Sequence, residues 1–321
     1  MPKMITFGSS SSGDISGFGR WIREWDEQVS FTLDDGFHFD DTSYFKVLHQ
    51  VEPPEVLDVT QKIIDNHKFY DLILAWNKRI LENCPNAILF PQATCTWMNP
   101  EYRPWDEGVD ANLLLYKAVM RPDYKPVRAM ECDVSIKKFQ ASFLTSSKVQ
   151  TSGHRLRQEI YDRLPEQVNG MRIYKHRSPP YLGSKRELLD EYQFHITPQN
   201  SSEDNWFDDK IIDALMAKTI PLYWGCPNIS EYFNMDGILH FKTYEELLSM
   251  LSSLTPDYYE KHFDAVQDNF ERAVKLVHVW HRAEVEISAG IERKKIGGWS
   301  HASPEAIRQT TRTLRRPPRP H

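Results

Sequence analysis

Short apolar runs alternate with helix-patterned runs along this 321-residue chain, and no other feature restricts its fold as strongly. "MITF" (4–7), "YFKVLHQ" (44–50), "FYDLILAW" (69–76) and "AILFPQAT" (87–94) read as buried strands. "PEVLDVTQKIIDNH" (54–67) and "NKRILENCPN" (77–86) carry helical spacing between them. Pro53 and Pro54 end the second strand, because proline cannot donate to a ladder. Strands and helices alternating at this pitch predict a parallel sheet in an α/β layer.

A second series starts near Lys137. "FQASFLTS" (139–146), "MRIYKH" (171–176), "QFHITPQN" (193–200), "TIPLYWG" (219–225) and "GILHF" (237–241) read as strands. "GHRLRQEIYDRLPEQ" (153–167), "SKRELLDEY" (184–192) and residues 207–218 read as helices. Phe263, Val266, Phe270, Val274 and Val277 recur at helical spacing and predict one long helix over about 256–290. "RWIREW" (20–25) predicts a short helix, and "FTLDDGFHFDD" (31–41) a turn-rich acidic stretch. "GSSSSGDISGFG" (8–19) reads as a loop, either solvated or an anion nest of backbone N–H groups. Residues 98–130 read as irregular, and the basic, proline-rich tail "RTLRRPPRPH" (312–321) as lacking fixed structure.

Composition removes several function classes. A net charge of −6 argues against a general nucleic-acid binder. No apolar window reaches the roughly 18 residues of a membrane span. The N-terminus lacks the apolar core of a signal peptide. Cys84, Cys95, Cys132 and Cys226 form no CxxC pair, so neither structural zinc nor a disulfide framework is expected. The expectation is a protein of the reducing cytoplasm.

Ligands of open α/β sheets sit beyond the strand C-termini, so the chemistry is sought there. Two strand–loop–helix junctions stand out. "SSKVQTSGHRLRQ" places His154, Arg155 and Arg157 at the first, where Arg157 lies one turn along and its planar fork suits a phosphate. "NSSEDNWFDDK" leads to the second, where Lys210 adds a charge to a helix start that already favours anions. Asp208 and Asp209 at that start either complement the helix dipole or accept from ribose or sugar hydroxyls. Together the junctions suggest a diphosphate cradle that needs no metal.

The stretch "YQFHITPQNSSEDNWFDDKIIDALMAKTIPLYWGCPNISEYFN" resembles the donor signature of the glycosyltransferase family 10 α-1,3/4-fucosyltransferases, viral and bacterial members in particular. That signature runs Tyr-Lys-Phe, Phe-Glu-Asn-Ser, Tyr-x-Thr-Glu-Lys, a helix, then Ile-Pro-x-Tyr-Trp-Gly. "TSSK…HRLRQEIYDRL" also follows the family pattern, and the likeness covers roughly 137–260. The resemblance implies that Arg157 and Lys210 hold the diphosphate. It puts Trp206 in the place of the tyrosine, Asp209 in that of the glutamate, and Asn200 on the Asn. The departures are Gln199 for Glu, Asp208-Asp209 for Thr-Glu, Trp206 for Tyr and Gln193 for Lys. Shortening Glu to Asp retracts a carboxylate by about 1.5 Å.

Inverting sugar transfer also needs a general base for the acceptor hydroxyl. Glu52 in "HQVEPPE" ends a predicted strand and resembles the Glu-Ser-Pro segment of the family's first domain, where the base is expected. Glu52 could instead merely accept from its own loop, and Glu55 and Asp71 are the fallbacks.

The resemblance implies an α/β chain of GT-B type, with two Rossmann-like domains facing across a cleft. Residues 1–136 are expected to bind the acceptor and 137–262 the donor. Residues 263–300 are expected to return as a helix onto the first domain, and 301–321 form the basic tail. The implied reaction is inverting, metal-independent transfer of L-fucose from GDP-fucose to a glycan hydroxyl, without cofactor, nucleic acid or membrane span. The same fold with another donor, such as UDP-xylose in an exostosin-like pattern, and a non-catalytic glycan-binding relative are the alternatives.

Overall fold

The computed structural model describes residues 4–7, 25–39, 42–95, 132–178, 185–277 and 279–297. Most of the expected short helix at 20–25 and all of the loop at 8–19, the irregular segment at 98–130 and the tail lie outside them. The described chain divides into two α/β units, each built on a parallel sheet.

In the first unit five parallel strands follow chain order. They are β1 (Met4–Phe7), β2 (Val29–Leu33), β3 (Phe45–His49), β4 (Leu72–Ala75) and β5 (Ala87–Leu89). The inner strands β2, β3 and β4 are almost wholly buried, as in a sheet covered on both sides. On one face Val29, Phe31, Leu33, Phe45, Val47, Leu72 and Leu74 form a cluster with Val279, Ala283, Ile287 and Ile291 of a C-terminal helix. On the other face Leu48, Ile73 and Ala75 meet Val59, Ile63 and Ile80. These come from the segment around α1 (Thr60–Asn66) and from α2 (Lys78–Asn83).

The second sheet has the spatial order β11-β10-β9-β6-β8-β7. Its strands are β6 (Lys138–Ser146), β7 (Gln167–Val168), β8 (Met171–Ser178), β9 (Tyr192–Pro198), β10 (Ile220–Trp224) and β11 (Leu239–His240). All pair in parallel except the short β7–β8 hairpin. The helices are α3 (Ser152–Arg163), α4 (Asp209–Met216), α5 (Tyr244–Ser253), α6 (Tyr258–Lys261) and α7 (Phe263–Val274). From β6 the chain moves to β8 on one side, and from β9 to β10 on the other. Neighbouring strands whose connections leave in opposite directions define a switch point, and here it lies between β6 and β9.

Four expectations are corrected. The helix expected over 256–290 is three helices, α6, α7 and α8 (Val279–Lys295). The boundary expected at 262/263 moves to 278/279, because Val266 of α7 sits in the second core while α8 covers the first sheet. The same apolar period serves two different cores, so spacing alone joins them. The two passages of chain near that boundary run side by side, with Cys95 N–H donating to Val277 O at 3.0 Å. The stretch expected as turn at 31–41 begins inside β2, whose Ser30 and Thr32 are buried although polar. The helix expected at 184–192 is a single 3-10 turn, Lys185–Leu188.

Candidate active site

The C-terminal ends of β6 and β9 each lead through a loop to a helix start. Thr151 caps α3 in a capping box, its side chain accepting from His154 N while the His154 ring faces the Thr151 N–H. His154 therefore works for the helix cap, since its Nδ1 lies 2.9 Å from the Thr151 hydroxyl and the residue is buried. Arg155 points to solvent and donates to Gln150 O. His154 is thus engaged in the cap and Arg155 is exposed, where both are expected to line the donor site.

Arg157 turns inward. Its Nε donates to Pro198 O at 2.9 Å and its Nη2 to Asn200 Oδ1 at 2.5 Å, while Nη1 takes part in neither bond. Burial pulls its pKa down to about 10, opposed by the charges of Asp208 and Asp209, so it stays cationic at neutral pH. Because those two aspartates act on Arg157, the starts of α3 and α4 share one electrostatic environment.

The first turn of α3 packs tightly against the residues after β9. Gly153 N–H donates to Asn200 O at 3.0 Å, and a Cβ on Gly153 would stand 1.9 Å from the Gln199 carbonyl oxygen. A backbone atom at that distance cannot give way cheaply. Gly153→Ala is therefore expected to cost at least about 2 kcal/mol, at the upper end of overpacking effects, a loss that denaturant unfolding measures. Gly225 plays the matching part after β10: at φ 157° its would-be Cβ meets Gln199 Cγ at 2.4 Å. Gln199 is thus wholly buried against Gly225 and the Tyr223 hydroxyl.

The loop 199–208 is pinned to the turn after β10. Asn205, at φ 63°, donates its N–H to Asn228 Oδ1 at 2.8 Å and receives Asn228 Nδ2 at 2.9 Å and the Tyr232 hydroxyl at 2.8 Å. Ser202 Oγ donates to Gly225 O. Trp206 is only 2% exposed, so its ring belongs to the interior and offers no open face for stacking. Its expected place beside ribose or sugar is corrected accordingly.

Asp208 is the N-cap of α4, accepting from Lys210 N, and its other oxygen lies 2.6 Å from Lys210 Nζ. Asp209 sits between Lys210, at 3.5 Å, and Lys185, which also reaches Asp213 at 2.8 Å. Burial pushes the Asp209 carboxyl upward, but Lys210 and Lys185 outweigh it and hold the group well below the usual range. Asp209 is therefore an ionised member of a cluster with two lysines, where the sequence reading expects it beside ribose or sugar hydroxyls. Sequence reasoning misses Lys185 and Asp213. Lys185 follows a Pro- and Gly-bearing segment with no periodic signal, and Asp213 reads as an ordinary polar helix position.

In the first unit, Glu52 follows β3 at its C-terminal end and is half-buried. Glu55 lies on the exposed turn beyond it. Asp71 precedes β4, at the opposite end of the sheet, where it accepts from Lys46 N and binds Lys294 of α8 at 2.8 Å. That polarity removes Asp71 as a fallback base. No group of three His, Cys, Asp or Glu able to hold a metal occurs among the described residues, and no helix among them is long and apolar enough to cross a membrane.

No protein-family model matches the chain. A stretch of 124 residues, 37% of the chain, is 29% identical to an alpha-(1,3)-fucosyltransferase FucT of Helicobacter pylori, of which it covers 25%. A stretch of 73 residues, 22% of the chain, is 33% identical to a putative fucosyltransferase-like protein of Arabidopsis thaliana and covers 14% of it. The chain is similar to α-1,3-fucosyltransferases. It spans a quarter or less of the length of these relatives. Among solved structures, an α1,3-fucosyltransferase with GDP-fucose aligns at a TM-score of 0.49 and 15% identity, over 86% of this chain and 90% of that one. A glycosyltransferase from Rickettsia africae aligns at 0.46 and 12%, over 81% and 75%.

Proposed function

We propose that this chain is an inverting glycosyltransferase that moves L-fucose from GDP-fucose to a hydroxyl of a glycan acceptor, without a metal. One observation carries the reading. A buried arginine and a helix-start lysine stand at the two junctions flanking the β6/β9 switch point, where an α/β sheet binds its ligand. The likeness to the Helicobacter pylori fucosyltransferase supports the donor.

In the proposed reaction the Glu52 carboxylate takes the proton of the acceptor hydroxyl. The acceptor oxygen forms a bond to C1 of fucose as the bond from C1 to the β-phosphate oxygen breaks. GDP leaves with that electron pair. Arg157, through the remaining side of its fork, and Lys210 stabilise the charge on the departing diphosphate. The Lys210 ammonium has three donors and shares them between Asp208, 2.6 Å away, and the phosphate. The reading assigns the base to the first unit and the diphosphate-binding groups to the second. Its setting is the cytoplasm.

A thermal-shift screen of nucleotide sugars tests the donor. Ligand at 100 times its dissociation constant stabilises by about 2.7 kcal/mol. GDP-fucose and GDP are expected to raise the melting temperature while UDP-sugars leave it unchanged. A shift by UDP-xylose alone would transfer the same mechanism to a different donor and overturn the fucose assignment.

A further inference from the structure

We infer that Asp34 is a positioning residue for Glu52: its carboxylate clamps the backbone of the turn that presents the base and sets a second acid beside it. The inference rests on the reading of Glu52 as base. Asp34 immediately follows β2, the strand next to β3 in the sheet. Its own N–H donates to His49 O at 3.0 Å, which ties it to the end of β3. Its side chain then reaches past that end. Val51 N–H donates to Asp34 Oδ1 at 2.7 Å, and Glu52 N–H donates to the same oxygen at 3.2 Å and to Oδ2 at 3.4 Å. The residue adopts φ 44°, a left-handed conformation that aspartate tolerates better than most residues.

From the other side, Trp76 Nε1 donates to Val51 O at 3.3 Å and Gln50 N–H to Leu74 O at 2.9 Å. The turn at 50–52 is therefore held between the C-terminal ends of β2 and β4. Of these anchors, Asp34 alone can carry a charge.

A fully buried carboxyl is a costly way to hold a turn. Burial pushes its pKa from 3.8 to about 7, against the two backbone N–H groups that pull it down, with the charges of Glu52 and Asp35 adding to the rise. The charged groups acting on it are thus both acids, one from the turn after β3 and one from its own turn. His49, whose carbonyl it meets, is buried and kept neutral by desolvation, so it supplies no compensating charge. With a pKa near 7, Asp34 takes its charge only as the pH approaches neutrality, and its bonds from the Val51 and Glu52 N–H groups then become charge-assisted and stronger.

The sign for stability follows. Between pH 3.8 and about 7 the folded chain keeps the Asp34 proton that the unfolded chain has lost, so stability falls as pH rises through that window. Asp34→Asn keeps the shape and one acceptor oxygen and removes the charge. It is expected to be more heat-stable than the parent at pH 8 and equal to it near pH 4. Its kcat should fall roughly tenfold, below the hundredfold that a 1 Å misplacement costs, with the KM for GDP-fucose within twofold. The parental kcat/KM should rise as Asp34 ionises near pH 7 and tightens the turn, and Asp34→Asn should lack that rise. A residue with a merely structural role would move the melting temperature and leave the pH profile unchanged.

Glu52→Gln is measured alongside. An inactive Glu52→Gln with an Asp34→Asn of parental rate and pH profile would overturn the Asp34 inference and leave the base intact. An active Glu52→Gln would overturn both.

Discussion

Glu52→Gln is expected to reduce turnover by a factor on the order of 10² to 10⁴, the usual contribution of a general base, with GDP affinity changed no more than a few-fold. The amide matches the carboxylate in size and cannot take a proton. The separation of effects follows from where the groups sit. Glu52 lies in the turn after β3 of the first unit, whereas every group proposed to hold the nucleotide lies in the second, around β6, β9 and α4. Initial-rate kinetics with GDP-fucose, paired with calorimetric titration of GDP, checks both halves. Turnover near the parental level would remove Glu52 from the mechanism, and Glu55, on the neighbouring exposed turn, would be the next acid to replace.

Arg157→Lys is expected to weaken GDP binding by about 2 kcal/mol or more, roughly thirty-fold, although the charge is kept. Arginine here does two things at once. Nε and Nη2 satisfy Pro198 O and Asn200 Oδ1, and the plane so fixed aims the remainder of the fork. A lysine ammonium is one point charge at the end of a flexible stem. It cannot serve both carbonyl-type acceptors and a phosphate in one geometry. Arg157→Ala should go further: it leaves two acceptors without their donor, at about 1–3 kcal/mol each when buried, so a fall in denaturation midpoint should accompany the loss of binding. Because the pKa of Arg157 stays near 10, the loss of binding in Arg157→Ala should not vary between pH 6 and 8. Parental GDP affinity in Arg157→Lys would show that the guanidinium serves the fold and not the ligand.

Much of this is legible in the chain. Strand–helix alternation announces two parallel α/β layers, and the strands at 45–49, 72–75, 138–146, 192–198 and 220–224 lie within or beside the apolar runs that predict them. The junction rule locates Arg157 and Lys210, since helix starts after parallel strands are places that local pattern can point to. The acid-rich flank of β2 hides a strand. "VSFTL" is buried on both faces, yet two of its five residues are polar and the next two are aspartates. With β2 read as turn, Asp34 cannot be seen as a residue at a strand C-terminus. Trp206 and Asp209 are assigned by matching positions in a family pattern. Such matching carries no information about which way a ring packs or which cation a carboxylate has already engaged.

The chain by itself determined which segments become strands and helices, and at which of their ends charge and turn residues collect, because these depend on apolar period, proline and glycine, all local. Tertiary structure alone decided the partners. It put Lys185 from a distant turn onto Asp209 and Asp213, sent α7 to one core and α8 to another, and buried Asp34 against the backbone of Glu52. Those outcomes depend on desolvation and on distances between residues far apart in sequence, and no window along the chain contains them.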